Sequence, residues 1–196
     1  MAETPQIDRL IIPPDQAREI IMRARKVYLK ECVCRAREQR CPRDVWDVCL
    51  HFENAPPDDL RNARTITTRD ALSILATMAE RGAIYNLFYT HAERKVTEIC
   101  SCCTCCCAPL RKMKEQGNYG EQPRSEYVAI TDAALCDGCG LCVERCFFEA
   151  RRVEDGILQF ADERCFWCGR CIESCPLEAI RLEFQVGRGV PISVSV

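Results

Sequence analysis

The sequence predicts an α+β chain in two parts: a Cys-rich, mainly helical N-terminal domain and a smaller C-terminal domain with short strands of its own. Three observations carry that expectation. Apolar residues recur at helical spacing in two N-terminal stretches, a C-x2-C-x2-C-x3-C run occurs twice between Cys136 and Pro176, and Asp155-Gly156 separates two short β-prone segments. The implied division is 1–117 for the N-terminal domain, 118–126 for a linker containing glycine and proline, 127–186 for the C-terminal domain and 187–196 for a β-prone extension.

The first helix is expected from about Asp15 to Lys30. Ala17, Ile20, Ile21, Ala24, Val27 and Tyr28 fall on one face, Pro14 and Asp15 suit the first turn, and Arg25, Lys26 and Lys30 suit the last. Acidic Asp15 and Glu19 on its polar face favour packing on a core over lying on a membrane surface. The second helix is announced by Thr67-Thr68-Arg69-Asp70, a capping-box pattern, and by Ala71, Leu72, Ile74, Leu75, Met78 and Ala79 up to a stop at Gly82. Ala83 to Tyr89 then reads as a strand, and Pro109 as the start of a short helix running to Gly117. In the C-terminal part, Tyr127–Ile130 and Ile180–Phe184 are expected as strands, with a hairpin of Arg151–Val153 and Ile157–Phe160 turning at Asp155-Gly156.

The chain holds 18 cysteines in 196 residues. No apolar run reaches the eighteen or so residues of a membrane span, and the opening residues lack a basic start followed by an apolar stretch. The expected setting is therefore a reducing cytoplasm, where dense cysteine signals metal or redox chemistry and not a disulfide scaffold. The formal net charge of -2, without a basic block, gives no bulk attraction to nucleic acid.

The two repeated runs are Cys136, Cys139, Cys142, Cys146 and Cys165, Cys168, Cys171, Cys175. C-x2-C pairs also build zinc ribbons, but four cysteines in quick succession, repeated once, suit two iron–sulfur cubanes better. The stretch resembles the bacterial-type ferredoxin domain that holds two [4Fe-4S] clusters. That resemblance implies that Cys136, Cys139, Cys142 and the remote Cys175 ligate one cluster, and Cys165, Cys168, Cys171 and the remote Cys146 the other. The second run ends in Cys175-Pro176 as that family does, whereas Phe147 follows Cys146 where the pattern has proline. Phe147, Phe148, Phe166 and Trp167 flank the ligands and would keep water from the sulfurs.

Ten cysteines remain: Cys32, Cys34, Cys41, Cys49, Cys100, Cys102, Cys103, Cys105, Cys106 and Cys107. They are candidate ligands of one or two additional iron–sulfur clusters. Six of them crowd the eight positions from Cys100 to Cys107, and a cubane offers only four iron sites, so these six cannot all serve one. Cys105–Cys107 would stand at the N-terminus of the Pro109 helix, where free amides and the dipole favour thiolates. Arg35 and Arg37 are placed to donate to cluster sulfurs; His51 reads as a structural histidine more than a ligand. The whole pattern resembles the Cys-rich ferredoxin-like proteins of anaerobic bacteria and archaea.

No conventional catalytic constellation is visible. The chain has two histidines, His51 and His91, no Gly-rich phosphate loop, and no H-E-x-x-H or G-x-S-x-G pattern. The reading that results is a multi-cluster electron carrier, or an electron-transfer subunit of a larger oxidoreductase whose flavin or nicotinamide sits on another subunit. The alternative is a redox enzyme subunit in which an atypical N-terminal cluster binds a thiol, disulfide or other small molecule.

Overall fold

Apolar alternation along its strands organises the N-terminal unit. The computed structural model describes residues 6–39, 41–42, 46–117, 124 and 126–187. The chain divides into one compact unit running to Arg111 and a second beginning at Lys112. The expected linker and C-terminal extension fall largely outside the described residues.

In the first unit the elements are β1 (Ile7–Ile12), α1 (Pro14–Arg23), β2 (Val27–Glu31), α2 (Val33–Glu38), β3 (Asp47–Phe52), β4 (Arg64–Ile66), α3 (Thr68–Glu80), β5 (Ile84–Thr90) and β6 (Val96–Cys102), and α4 (Ala108–Gln116) follows. The strands form a six-stranded sheet in the order β1-β5-β6-β3-β2-β4, with every neighbour antiparallel. The expectation of a mainly helical N-terminal domain is thus corrected: a sheet is its backbone. The Asp15–Lys30 helix is corrected with it. α1 ends at Arg23, Ala24 turns to extended backbone, and Val27 and Leu29 point inward with Tyr28 and Lys30 between them. Val27 and Tyr28 fit the helical face arithmetically, but a β-branched and aromatic pair in alternation also suits a strand, and pairing with both β3 and β4 decides it.

The other N-terminal elements follow their local signals. Thr67 accepts a hydrogen bond from the Asp70 amide and Asp70 reaches back to the Thr67 amide, which closes the capping box of α3. Gly82 takes a left-handed φ of 72° just after that helix. α1 and α3 pack together through Ala17, Ile20, Ile21 and Ala71, Leu75, Met78. The Tyr85 hydroxyl donates to the Leu75 carbonyl at 2.7 Å, so the face of β5 bearing Tyr85, Leu87 and Tyr89 meets α3. Register carries that face across the sheet as Leu10, Leu87, Ile99, Leu50 and Leu29. Because side chains alternate along a strand, the neighbouring row, Ile11, Asn86, Cys100, Cys49 and Lys30, belongs to the opposite face.

The second unit contains β7 (Tyr127–Thr131), α5 (Leu141–Glu144), β8 (Arg151–Glu154), β9 (Ile157–Phe160) and β10 (Ile180–Phe184). β7 pairs with β10, and β8 with β9 across the Asp155-Gly156 turn, as expected. Ala129, Ala150, Cys165 and Trp167 form a small core to which Tyr127, Cys146 and Leu182 add. The internal repeat is visible in the backbone. Glu149 and Glu178, each three residues past the last cysteine of its run, take φ of 54° and 51°. The next amides, those of Ala150 and Ala179, both donate to the sulfurs of Cys146 and Cys175 at 3.3 Å.

Candidate metal centres

Contiguous cysteine runs need a backbone that folds sharply enough to aim successive thiols at one point. In the second unit glycine supplies it: Gly138, Gly140 and Gly169 have φ of 73°, 79° and 79°. Gly138 also packs so closely on the hairpin that a Cβ there would lie 2.1 Å from the Gly156 carbonyl oxygen. Cys136, Cys139, Cys142 and the remote Cys175 line one pocket with Leu158, Pro176 and Ile180. Cys146 is a charge neighbour of Cys165, Cys168 and Cys171.

Burial pushes the Cys165 and Cys171 thiols up and Cys168 to about 12, and in each case the neighbouring thiols add to the rise. Such a set ionises together only around a positive charge, which is what a metal supplies. The donor set therefore suits soft, thiolate-liganded iron. Arg151, which sequence reasoning missed, is 3% exposed and is a charge neighbour of one cysteine from each set. Its Nη1 donates to Thr131 Oγ1 at 2.9 Å, its guanidinium covers the Phe160 ring, and it favours the ionised thiols of both Cys171 and Cys142. Nothing in the local sequence marks it beyond being a basic residue in a strand next to a cysteine run. Phe148 and Phe166 are buried and in ring contact at 4.7 Å, and Trp167 is buried beside them.

In the first unit all ten remaining cysteines converge, in two groups. The thiols of Cys41, Cys103, Cys105 and Cys106 all lie within 4.8 Å of one another, with Cys41 and Cys103 at 3.8 Å and Cys105 and Cys106 at 3.5 Å. Fully buried Arg35 donates to the Ser101 carbonyl at 2.8 Å and to the Cys103 sulfur. Burial pushes the Cys103 thiol up, but the hydrogen bonds from Arg35 and Cys105 outweigh it and bring it to about 7. Arg37 is exposed.

The second group, Cys32, Cys34, Cys49, Cys100, Cys102 and Cys107, lines a cavity of about 210 Å3. Its floor is the sheet face opposite α1 and α3. Cys49 and Cys100 are cross-strand partners with sulfurs 3.4 Å apart; Cys32 and Cys34 come from the start of α2, and Cys107 from the residue preceding α4. The thiols hydrogen-bond in a chain. The neighbouring Cys100 and Cys107 thiols draw Cys102 down to about 6, and that of Cys49 lowers Cys32. Glu98 and Asn86 also line the cavity and were not anticipated. The Cys100 thiol donates to Glu98 Oε1 at 2.7 Å, and His51 Nε2 lies 3.7 Å from that same oxygen. Burial pushes the His51 imidazole below its ordinary range. His91 is remote from this group and pairs on the surface with Asp8 at 2.7 Å.

Residues 127–176 match the family model of a 4Fe-4S dicluster domain. Among curated proteins no match is found. The chain thus contains a ferredoxin-like iron–sulfur domain, which gives it a role in iron–sulfur electron transfer. Among the described residues no helix is long and apolar enough to cross a membrane.

Proposed function

We propose that this chain is a multi-cluster iron–sulfur electron-transfer protein, or the electron-transfer subunit of a larger oxidoreductase, relaying single electrons between a low-potential donor and a protein partner in the cytoplasm. Cys136, Cys139, Cys142 and Cys175 ligate one [4Fe-4S] cluster, Cys165, Cys168, Cys171 and Cys146 a second, and the ten N-terminal cysteines one or two more. The observation that carries the reading is the dicluster match over 127–176, within which all eight of these cysteines fall.

When bound, each cluster supplies a site that gains and loses one electron. The protein's part is to hold and tune it. The Ala150, Ala179 and Trp167 amides donate to ligand sulfurs at 3.3, 3.3 and 3.4 Å, which favours the reduced, more negative state. Phe148, Phe166 and Trp167 keep water away from one side. Arg151 offsets negative charge at one cysteine of each ligand set.

Anaerobic purification with iron and sulfide quantification tests the reading. About twelve to sixteen irons, reduced in reversible one-electron steps, are expected; about eight would leave a plain two-cluster protein, and none would end the proposal. A second reading, a subunit whose N-terminal centre binds a thiol, disulfide or small molecule, is favoured by the cavity of about 210 Å3. It requires that such compounds perturb the paramagnetic spectrum of that centre.

A further inference from the structure

Four of the ten N-terminal cysteines close on a point and not around a space. The thiols of Cys41, Cys103, Cys105 and Cys106 all lie within 4.8 Å of one another, with Cys41 and Cys103 at 3.8 Å and Cys105 and Cys106 at 3.5 Å. A tetrahedral ion with metal–sulfur bonds of about 2.3 Å holds its four sulfurs about 3.8 Å apart. A cubane spreads four thiolates over four separate irons and needs a wider set. The dicluster domain provides the comparison: among the described residues, none of its eight cysteines belongs to a group of three or more donors as tight as this one.

The backbone builds the set from two places. β6 ends at Cys102, and the chain turns through Cys103 to Cys106 before α4, with the Cys107 amide donating to the Cys103 carbonyl at 3.1 Å. Three donors, Cys103, Cys105 and Cys106, therefore come from one turn. The fourth, Cys41, comes from the connection between α2 and β3, 62 positions before Cys103. Cys41, Cys103 and Cys106 are buried together, and Cys105 is the exposed member. Four protein donors leave a four-coordinate ion no open position, which is the mark of a structural site. The charge is provided for as well. Four thiolates around a dication leave a net double negative charge, and the buried Arg35 guanidinium and the Cys106 amide both donate to the Cys103 sulfur.

We infer that Cys41, Cys103, Cys105 and Cys106 bind one divalent metal ion, zinc, in a tetrahedral four-thiolate site that staples the α2–β3 connection to the turn before α4. A four-sulfur tetrahedral set suits zinc or iron, and with the same ligands zinc binds more tightly than ferrous iron. Binding releases the protons that the four thiols carry and changes no oxidation state. The inference refines the proposed function: additional iron–sulfur clusters draw on the six cavity cysteines and not on all ten.

The test uses the full chain, purified anaerobically from medium containing both iron and zinc, with zinc, iron and sulfide measured per chain. Wild type is expected to hold about one zinc besides its iron and sulfide. Cys105→Ser, at the exposed ligand, is expected to lose that zinc to a chelator concentration that leaves wild type loaded, and Cys41→Ser with Cys105→Ser to hold none, with iron and sulfide unchanged in both. Should the double variant fail to fold by circular dichroism, Cys105→Ser alone carries the test. The inference is overturned if wild type holds no zinc, if Cys105→Ser retains zinc as firmly as wild type, or if Cys105→Ser loses iron and sulfide together. A chain with about one zinc and only about eight irons keeps this inference and ends the reading of additional clusters, whereas about twelve irons or more without zinc does the reverse.

Discussion

The sulfurs of Cys41 and Cys103, 62 positions apart along the chain, lie 3.8 Å apart in a buried cluster with Cys106. Arg35 is what makes that proximity tolerable, because its guanidinium faces the Cys103 sulfur while it anchors to the Ser101 carbonyl.

Arg35→Met should therefore destabilise the metal-free chain by about 3 kcal/mol, the range for removing one partner of a buried charged pair. Arg35→Lys keeps the charge but not the planar fork, and should fall between the two. Urea unfolding followed by circular dichroism checks the order; equal midpoints for wild type and Arg35→Met would show that the arginine holds nothing.

Gly138 and Gly140 have similar φ but different surroundings. Gly138→Ala meets the Gly156 carbonyl oxygen at 2.1 Å, whereas Gly140→Ala meets nothing within 4 Å. The second should cost only the left-handed strain of about 1 kcal/mol. Gly138→Ala should in addition push the hairpin off the first cysteine run and lower bound iron. Iron content of the two variants, measured side by side, discriminates.

Arg151→Met removes a buried cation that favours ionised thiols at both Cys142 and Cys171. Losing it should make electron uptake harder at each cluster the domain holds, so protein-film voltammetry should show reduction potentials moving to more negative values. A shift confined to one cluster would mean that the guanidinium tunes one site and not both.

The capping box gives a pH dependence. The Thr67 hydroxyl and amide hold the Asp70 carboxyl below its ordinary 3.8. A carboxyl lowered by folding stabilises fully above its unfolded-state value, and the gain is lost as pH falls through the folded-state value, where the unfolded chain binds the proton more readily. Asp70→Asn should flatten stability against pH below about 4, and Thr67→Ala should cost about 1 kcal/mol at neutral pH. Thermal unfolding between acid and neutral pH measures both.

Much was legible in the residues because the signals were local. The capping box at Thr67, the Asp155-Gly156 hairpin, the Pro109 helix and the paired cysteine runs each depend on a few neighbouring positions. Most of the N-terminal sheet was not legible: β1, β3, β4 and β6 carried no reading as strands, and Val27–Glu31 was read as helix. The apolar residues of that stretch satisfy both a helical and a strand period, and neither Glu98 nor Asn86 carries any mark that it will face thiols.

The sequence by itself determined the chemistry: thiolate-rich iron–sulfur binding, the dicluster domain, and ten further cysteines too many for one cubane. The tertiary structure decided which of those ten meet. Ligand spacing within a run is a property of a few consecutive backbone angles and can be read along the chain. The meeting of Cys49 with Cys100, or of Cys41 with Cys103, depends on strand register and on a turn between distant segments, which are fixed by burying Leu50, Ile99 and Leu87 against the helices. That burial leaves the alternate positions, thiols among them, on the other face.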